Sequence, residues 1–213
     1  DYVIVEKGGE IIPKITNVVL SRRSENSRKI IFKKKCPSCD SELVKSEAQH
    51  YCLNKKSCHP QILGKIKHFI SRKAMNIEGF GTETIERLLE KKLINNFSDI
   101  YKLNLNDLIN LERMAEKSAQ NLILAIEKSK DQPFEKVLFG LGIRYVGETV
   151  SKKITSKISD IEKLMKLSVD DLLKIEEIGD KIALSLVKYF SDDDNIEQIK
   201  RLKEVGLNFD VVN

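Results

Sequence analysis

A nine-residue stretch that recurs along the chain decides the fold, and its first copy reads Ile77-Glu78-Gly79-Phe80-Gly81-Thr82-Glu83-Thr84-Ile85. Counterparts occupy residues 111–119, 143–151 and 175–183, at spacings of 32 to 34 residues. Each copy precedes an apolar pattern of helical periodicity, and from residue 77 onward such patterns alternate with short turns. The sequence therefore predicts an all-α part made of four helix-hairpin-helix repeats.

Three of the copies carry a glycine at the last position of the hairpin, namely Gly81, Gly147 and Gly179, and the first copy adds Gly79. A glycine at that last position permits a positive φ, or the close approach of another backbone, and leads into free amides at a helix N-terminus. Such amides bind anions without the help of lysine or arginine. We therefore predict phosphate cradles at the hairpins, although glycines that merely cap the helices of a bundle remain an open alternative.

Side chains beside the hairpins are further candidates for phosphate contacts. They are Thr82, Lys117, Thr149 and Lys181 in the first turns of the following helices, and Arg144 within the third hairpin. A role as solvated surface stays open for each of them.

Repeat two has Arg113 and Ala115 at its two glycine positions, and this substitution predicts a mainly structural role for that repeat. Repeats three and four keep the second glycine and place Tyr145 and Glu177 at the first position.

Charge is distributed unevenly along the chain. The chain has 37 Lys and Arg against 32 Asp and Glu, but residues 1–75 hold 16 basic against 7 acidic residues. Because each neutralised phosphate releases counterions, a basic front segment indicates contact with nucleic acid. Candidate DNA-binding residues in this segment are Arg22, Arg23, Lys65 and Arg72. A solvated basic face remains the alternative.

The cysteines form two close pairs, separated internally by two and five residues: Cys36, Cys39, Cys52 and Cys58. Tetrahedral Zn²⁺ coordination by thiolates requires such pairs, each folded into a tight knuckle. Two disulfides, or unrelated buried thiols, would be the alternative. Since four thiolates complete the shell, His50 and His59 are left out of it, and the predicted zinc is structural.

Residues 2–6 and 15–20 are predicted to be short strands, and residues 61–73 an amphipathic helix. Two strands are too few for an independent sheet, so we expect either that the rest of a β domain lies upstream of Asp1 or that this segment pairs with something else. The chain lacks an initiator Met, a secretory signal and any apolar run long enough for a membrane. With its clustered cysteines, it is expected in a reducing cytoplasm.

The order of these features resembles the NAD-dependent DNA ligases of bacteria. The resemblance runs from Asp1 to about residue 209 and rests on the segment Lys7-Gly8-Gly9-Glu10-Ile11-Ile12-Pro13-Lys14, on Cys36-Pro37-x-Cys39, on the repeats, and on residues 66–81 and 141–149. It implies that residues 1–33 end an OB fold, that 34–60 form a zinc finger, and that 61–213 form a helix-hairpin-helix DNA-binding domain. The expected fold is thus mainly α with a small β part.

The resemblance also implies a function. The parent enzyme would seal nicks in duplex DNA during replication and repair, and the repeats would grip the minor groove around the nick. NAD and Mg²⁺ would bind outside this chain, which contains no Lys-x-Asp-Gly and no expected catalytic residue. Alone it should be inactive, a monomer that binds nicked double-stranded DNA and no membrane. The alternative is a free-standing zinc and helix-hairpin-helix module of repair or recombination without ligase activity.

Overall fold

The computed structural model describes residues 1–9, 12–46 and 49–211. They form two compact units, Asp1–Leu53 and Asn54–Asn213. The first unit contains two antiparallel hairpins, in which β1 (Val3–Gly8) pairs with β2 (Ile12–Val18) and β3 (Leu43–Ser46) pairs with β4 (Gln49–Cys52). None of the residues of β1 and β2 is buried. The two strands therefore form a ribbon without a core of its own, as the sequence predicted.

Within residues 54–211, the regular structure of the second unit is helical and includes a 3-10 helix at Phe97–Lys102, apart from one isolated β-bridge between Asp160 and Asp210. Its helices are α1 (His59–Ile70), α2 (Thr82–Glu90), α3 (Leu105–Ile109), α4 (Glu116–Ser129), α5 (Phe134–Gly140), α6 (Glu148–Lys157), α7 (Ile161–Lys166), α8 (Val169–Leu173), α9 (Asp180–Phe190) and α10 (Asp193–Glu204). Four pairs, α1–α2, α3–α4, α5–α6 and α8–α9, flank the four predicted hairpins. The predicted mainly α fold with helix-hairpin-helix repeats is confirmed. No helix of the described residues combines the length and the apolar character that crossing a membrane requires.

Side chains of the first and third repeats bind the hairpin of the repeat that follows. These contacts join the four repeats into two pairs. On α2, the Arg87 guanidinium donates to the carbonyl of Glu112, and Lys91 Nζ donates to the carbonyl of Asn110 over 2.7 Å. On α6, Lys153 forms an ion pair with Glu177 of the fourth hairpin. Repeats one and two, and repeats three and four, are thus tandem pairs.

A continuous hydrophobic core holds the two tandems together. Phe69 of α1 stacks on Phe97 at 4.6 Å and meets the ring of Tyr101 edge-on at 6.2 Å. At the end of α5, a Cβ on Gly140 would lie 3.3 Å from the Phe69 ring, so glycine lets α5 approach α1 closely. His68 Nε2 is 2.8 Å from the carbonyl oxygen of Phe139 and adds a polar contact at the same place.

Helix α1 begins and ends earlier than the predicted range 61–73. Cys58 is its extended N-cap residue and a proline follows near the N-terminus, where proline is favoured because its missing N–H is not needed. At the other end, Ser71 has ψ 157° and stops the helix. The chain then folds back, and the Met75 amide donates to the Phe69 carbonyl over 3.0 Å. The predicted range ran past Ile70 because Arg72 and Lys73 were counted on the polar side of the helix, whereas the last apolar residue of the pattern, Ile70, is also the last residue of α1.

One buried hydroxyl in this core predicts a stabilising substitution. Ser151 on α6 is fully buried, and its Oγ has no hydrogen-bond partner among the described residues. The aligned positions in repeats two and four are Ala119 and Ala183, both also fully buried. We expect Ser151→Ala to raise the free energy of unfolding by about 1 kcal/mol, because it removes an unsatisfied polar atom and favours the helix.

Thermal unfolding followed by circular dichroism measures this effect. Ser129→Ala is the matched control, because the Ser129 hydroxyl donates to the carbonyl of Ile126 over 2.6 Å and lies 3.0 Å from the Tyr101 hydroxyl. That substitution should lower the melting temperature. Equal destabilisation by both variants would show that Ser151 has a partner after all.

Candidate metal centre and nucleic-acid interface

The four cysteine sulfurs form one cluster, in which all Sγ atoms lie within 4.8 Å of one another. None of the four forms a disulfide. The first two precede β3, the third ends β4 and the fourth caps α1: Cys36, Cys39, Cys52 and Cys58. Two tight turns shape the site. Cys36 accepts from the amide of Asp40 over 3.0 Å, and Asn54 Oδ1 accepts from the amide of Ser57 over 3.1 Å.

The dimensions of the cluster fit a tetrahedral zinc ion. Zn–S bonds of about 2.3 Å place the sulfurs of a regular tetrahedron about 3.8 Å apart. The Sγ atoms of Cys39 and Cys52 are 3.5 Å apart. Ser41 Oγ lies 3.4 Å from the Cys39 sulfur, and hydrogen bonds from the Ser41 side chain and backbone lower the pKa of the Cys39 thiol to about 6. A thiolate, the form that binds metals, is thereby favoured.

Neither candidate histidine belongs to the cluster among the described residues. His50 stacks on Phe32 with 4.9 Å between the ring centroids. His59 is the first residue of α1. That the cysteines alone form the metal shell stays a prediction.

The hairpins place the positive φ at a different position from the one predicted. It occurs at the first glycine position in all four repeats: Gly79 (79°), Arg113 (61°), Tyr145 (67°) and Glu177 (67°). At the last position Gly81, Ala115, Gly147 and Gly179 have φ between −74° and −92°, which any residue adopts. A positive φ, one of the two alternative reasons for a glycine at the last position, therefore does not apply there, and the loss of glycine in repeat two leaves its backbone conformation unchanged.

The residues at the last hairpin position are the N-caps of α2, α4, α6 and α9, and none of these four helices has a side-chain cap. By contrast, Asn104 caps α3, Asp160 caps α7 and Ser168 caps α8 with side-chain oxygens. A Cβ built on any of the three glycines would meet nothing within 4 Å. Packing among the described residues therefore does not require glycine there, and the N-cap residues give the first-turn amides no side-chain acceptor.

The candidate DNA-contacting residues of the repeats are all exposed to solvent: Gly79, Gly81, Thr82, Lys117, Arg144, Gly147, Thr149, Gly179 and Lys181. Lys65 and Arg72 are exposed beside them in the same unit. Desolvation, followed by the nearby charge of Lys55, lowers the pKa of Lys65.

Arg22 and Arg23 belong to the other unit and already have partners. The Arg22 guanidinium lies 5.5 Å from the ring centroid of Tyr2. Arg23 forms an ion pair with Asp1 at 2.7 Å. Both side chains therefore have contacts that nucleic acid would have to compete with or share.

Two features of the sites were not anticipated from the sequence. Ser41 supports Cys39, and its only signal was a small polar residue two positions after a predicted ligand. Tyr145 occupies a left-handed position on the hairpin surface with its side chain 50% exposed. Its alignment with Gly79 was the signal that could have found it.

Three family models match the sequence. They are the NAD-dependent DNA ligase C4 zinc finger domain over residues 35–59, the SAM-like helix-hairpin-helix tandem over 71–128, and the helix-hairpin-helix motif over 136–199. The last two coincide with the two tandems described above. The first covers the cysteine cluster and supports a structural zinc site.

Relatives named DNA ligase match the whole chain. That of Christiangramia forsetii is 53% identical over 213 residues, which are 99% of this chain and 32% of the relative. That of Flavobacterium johnsoniae is 50% identical over 214 residues, 100% of this chain and 32% of the relative. That of Lysinibacillus sphaericus is 47% identical over 210 residues, 98% of this chain and 31% of the relative.

The chain spans about a third of the length of the curated relatives that it matches. Within that third, the zinc-finger match, the two helix-hairpin-helix matches and the identity over nearly every residue agree. The chain therefore belongs to the bacterial DNA ligase family, as a region that carries its C4 zinc finger and helix-hairpin-helix repeats.

Proposed function

We propose that this chain is the DNA-clamping part of an NAD-dependent DNA ligase, which seals nicks in duplex DNA during replication and repair. In this proposal the repeats grip the minor groove around the nick and hold both ends for an active site elsewhere in the enzyme. NAD and Mg²⁺ bind outside this chain, which forms no adenylate alone. The chain works as a monomer in the cytoplasm.

The proposal assigns a task to each part of the chain. Residues 1–33 complete an OB fold, for which the exposed faces of β1 and β2 are the support. Residues 34–60 form a zinc finger whose ligands are the four clustered cysteines. Residues 61–213 form the DNA-binding domain.

One observation carries the proposal: four helices of eight residues or more begin at the hairpins without a side-chain cap. Their amides and the positive ends of the helix dipoles suit phosphate oxygens. Three of the four N-caps are glycines with open space where a side chain would stand. A DNA backbone can thus approach these amides closely, with Gly81, Gly147 and Gly179 at the contact points.

Backbone amides also reconcile DNA binding with an acidic helical part. Residues 76–213 have 21 basic against 25 acidic side chains, so net charge does not attract DNA there. Ion pairs with nearby lysines reduce the repulsion between acidic side chains at the hairpins and DNA phosphates. Glu148, the first residue of α6, forms ion pairs with Lys73 at 3.5 Å and with Lys152 at 3.4 Å, and the bond from Lys152 is the main cause that lowers the pKa of Glu148.

The test of this function is the affinity of the chain for matched nicked and intact duplexes at several salt concentrations. We expect tighter binding to the nicked duplex. The affinity should fall steeply as salt is added, because the basic residues of the segment 1–75 release counterions from the phosphates that they neutralise.

Incubation with labelled NAD is the accompanying control and should leave the chain unlabelled. Equal affinity for both duplexes would contradict nick recognition. A labelled chain would contradict the placement of the adenylation chemistry outside it.

A further inference from the structure

We propose that Tyr145 is a nucleoside-stacking residue, which lays its ring against the sugar and the base face of the nucleotide whose phosphate lies at Gly147. The proposal rests on the DNA-binding function above and adds to it a contact that is neither a backbone amide nor a charge. It makes the third hairpin different in kind from the other three.

The backbone at Tyr145 is the first reason. Its φ of 67° lies in the left-handed region, which bulky side chains rarely adopt and which glycine adopts without steric penalty. Repeat one has Gly79 at the same place with φ 79°, and a Cβ there would meet nothing within 4 Å. The hairpin therefore needs no aromatic ring in order to form.

The placement of the ring is the second reason. Ile143 and Val146, on either side of the hairpin tip, are buried and fix it to the core. Arg144 and Tyr145 between them are exposed, and Tyr145 keeps 50% of its accessible surface. An aromatic side chain held on a rigid tip and left half-uncovered can bury its remaining surface against a partner at little entropic cost.

Arg144 contacts the Tyr145 ring at the hairpin tip. Its guanidinium carbon lies 5.0 Å from the centroid of the Tyr145 ring, within the range of a cation–π contact. The pair thus offers a flat π surface beside a positive charge, and a nucleotide offers a flat π surface beside a negative charge. A phosphate at the Gly147 amide would stand two residues from the ring along the chain.

The comparison between hairpins indicates that this contact is particular to repeat three. The equivalent residues Arg113 and Glu177 are charged, with Arg113 paired to Glu112 at 3.9 Å and Glu177 to Lys153. Neither supplies an aromatic ring. Tyr145 is thus the aromatic member of the four aligned positions.

The experiment compares Tyr145→Gly and Tyr145→Phe with the unchanged 213-residue chain, by titration onto a fluorescent nicked duplex and by thermal unfolding. Tyr145→Gly should bind about tenfold more weakly, the loss typical of one base–aromatic stack, while melting at the same temperature or higher. Tyr145→Phe should bind as the unchanged chain does. The salt slope should be equal for all three, because stacking releases no counterions.

Glu177→Gly is the matched control, since it relieves the same left-handed conformation in repeat four without removing a ring. It should not weaken binding. If the unchanged chain binds nicked duplex and Tyr145→Gly binds equally well, the stacking contact is refuted and the DNA-binding function stands. If the salt slope falls in Tyr145→Gly, the residue acts on a phosphate contact and stacking is refuted. If the unchanged chain itself fails to bind, the proposed function fails and the stacking contact fails with it.

Discussion

Replacing Cys39 with serine should release the metal and unfold the zinc finger. Among the described residues from 34 to 58, the buried ones are Cys36 and Cys58, so this segment has no hydrophobic core of its own. Its order must come from the metal, since structural zinc sites in small fingers contribute roughly 10–16 kcal/mol of binding free energy. A serine oxygen in place of one thiolate breaks the four-sulfur shell.

Elemental analysis should give one zinc per unchanged chain and none in Cys39→Ser. Hydrogen exchange should show residues 35–58 losing protection, while the helical core, which contains Phe69 and Phe97, keeps it. Ser41→Ala is the control, because it removes the hydroxyl 3.4 Å from the Cys39 sulfur and keeps all four thiolates. It should retain zinc. A chain purified without metal but with full protection at residues 35–58 would contradict a structural role.

The repeats could be read from the sequence because each contains its own local rules. An apolar residue, a turn and a polar helix start recur at a fixed spacing, and each element follows within a few residues of its signal. The cysteine spacing was equally local. These two patterns were enough to predict the mainly α fold, the metal cluster and the four hairpins.

Features that depend on distant contacts could not be predicted in the same way. Strands β3 and β4 have four residues each and include Lys45, Ser46 and Gln49, so they carry no strand pattern. They pair because the cysteines at their ends converge. A positive φ was one of the two options for the last hairpin position, because three of the four repeats have a glycine there. Only the conformations of Tyr145 and Glu177 reveal which position requires it.

Filling the space above the glycine N-caps should sharply weaken DNA binding without unfolding the chain. Val at Gly81, Gly147 and Gly179 together introduces side chains where the structure leaves open space, at φ values that valine accepts. A charge-assisted hydrogen bond to a phosphate is worth about 1.5–3 kcal/mol, so each blocked hairpin should cost at least roughly tenfold in affinity. Because the hairpins are separate, the losses should add, to about a thousandfold for the triple variant. Titration onto nicked duplex measures the loss.

Serine at the same three positions separates a blocked contact from a damaged fold. A serine N-cap binds a first-turn amide with its own oxygen and stabilises a helix by a few tenths of a kcal/mol relative to glycine. The triple serine variant should therefore melt slightly higher and bind DNA more weakly, because its hydroxyls compete with phosphate for the same amides.

In repeat two, Ala115→Gly removes the Cβ that already stands at this position. Tighter binding by Ala115→Gly would give that repeat a DNA contact, and unchanged binding would make it structural. Full affinity in the triple valine variant would mean that these helix N-termini do not meet phosphate, since no other property of the three glycines places them beside DNA.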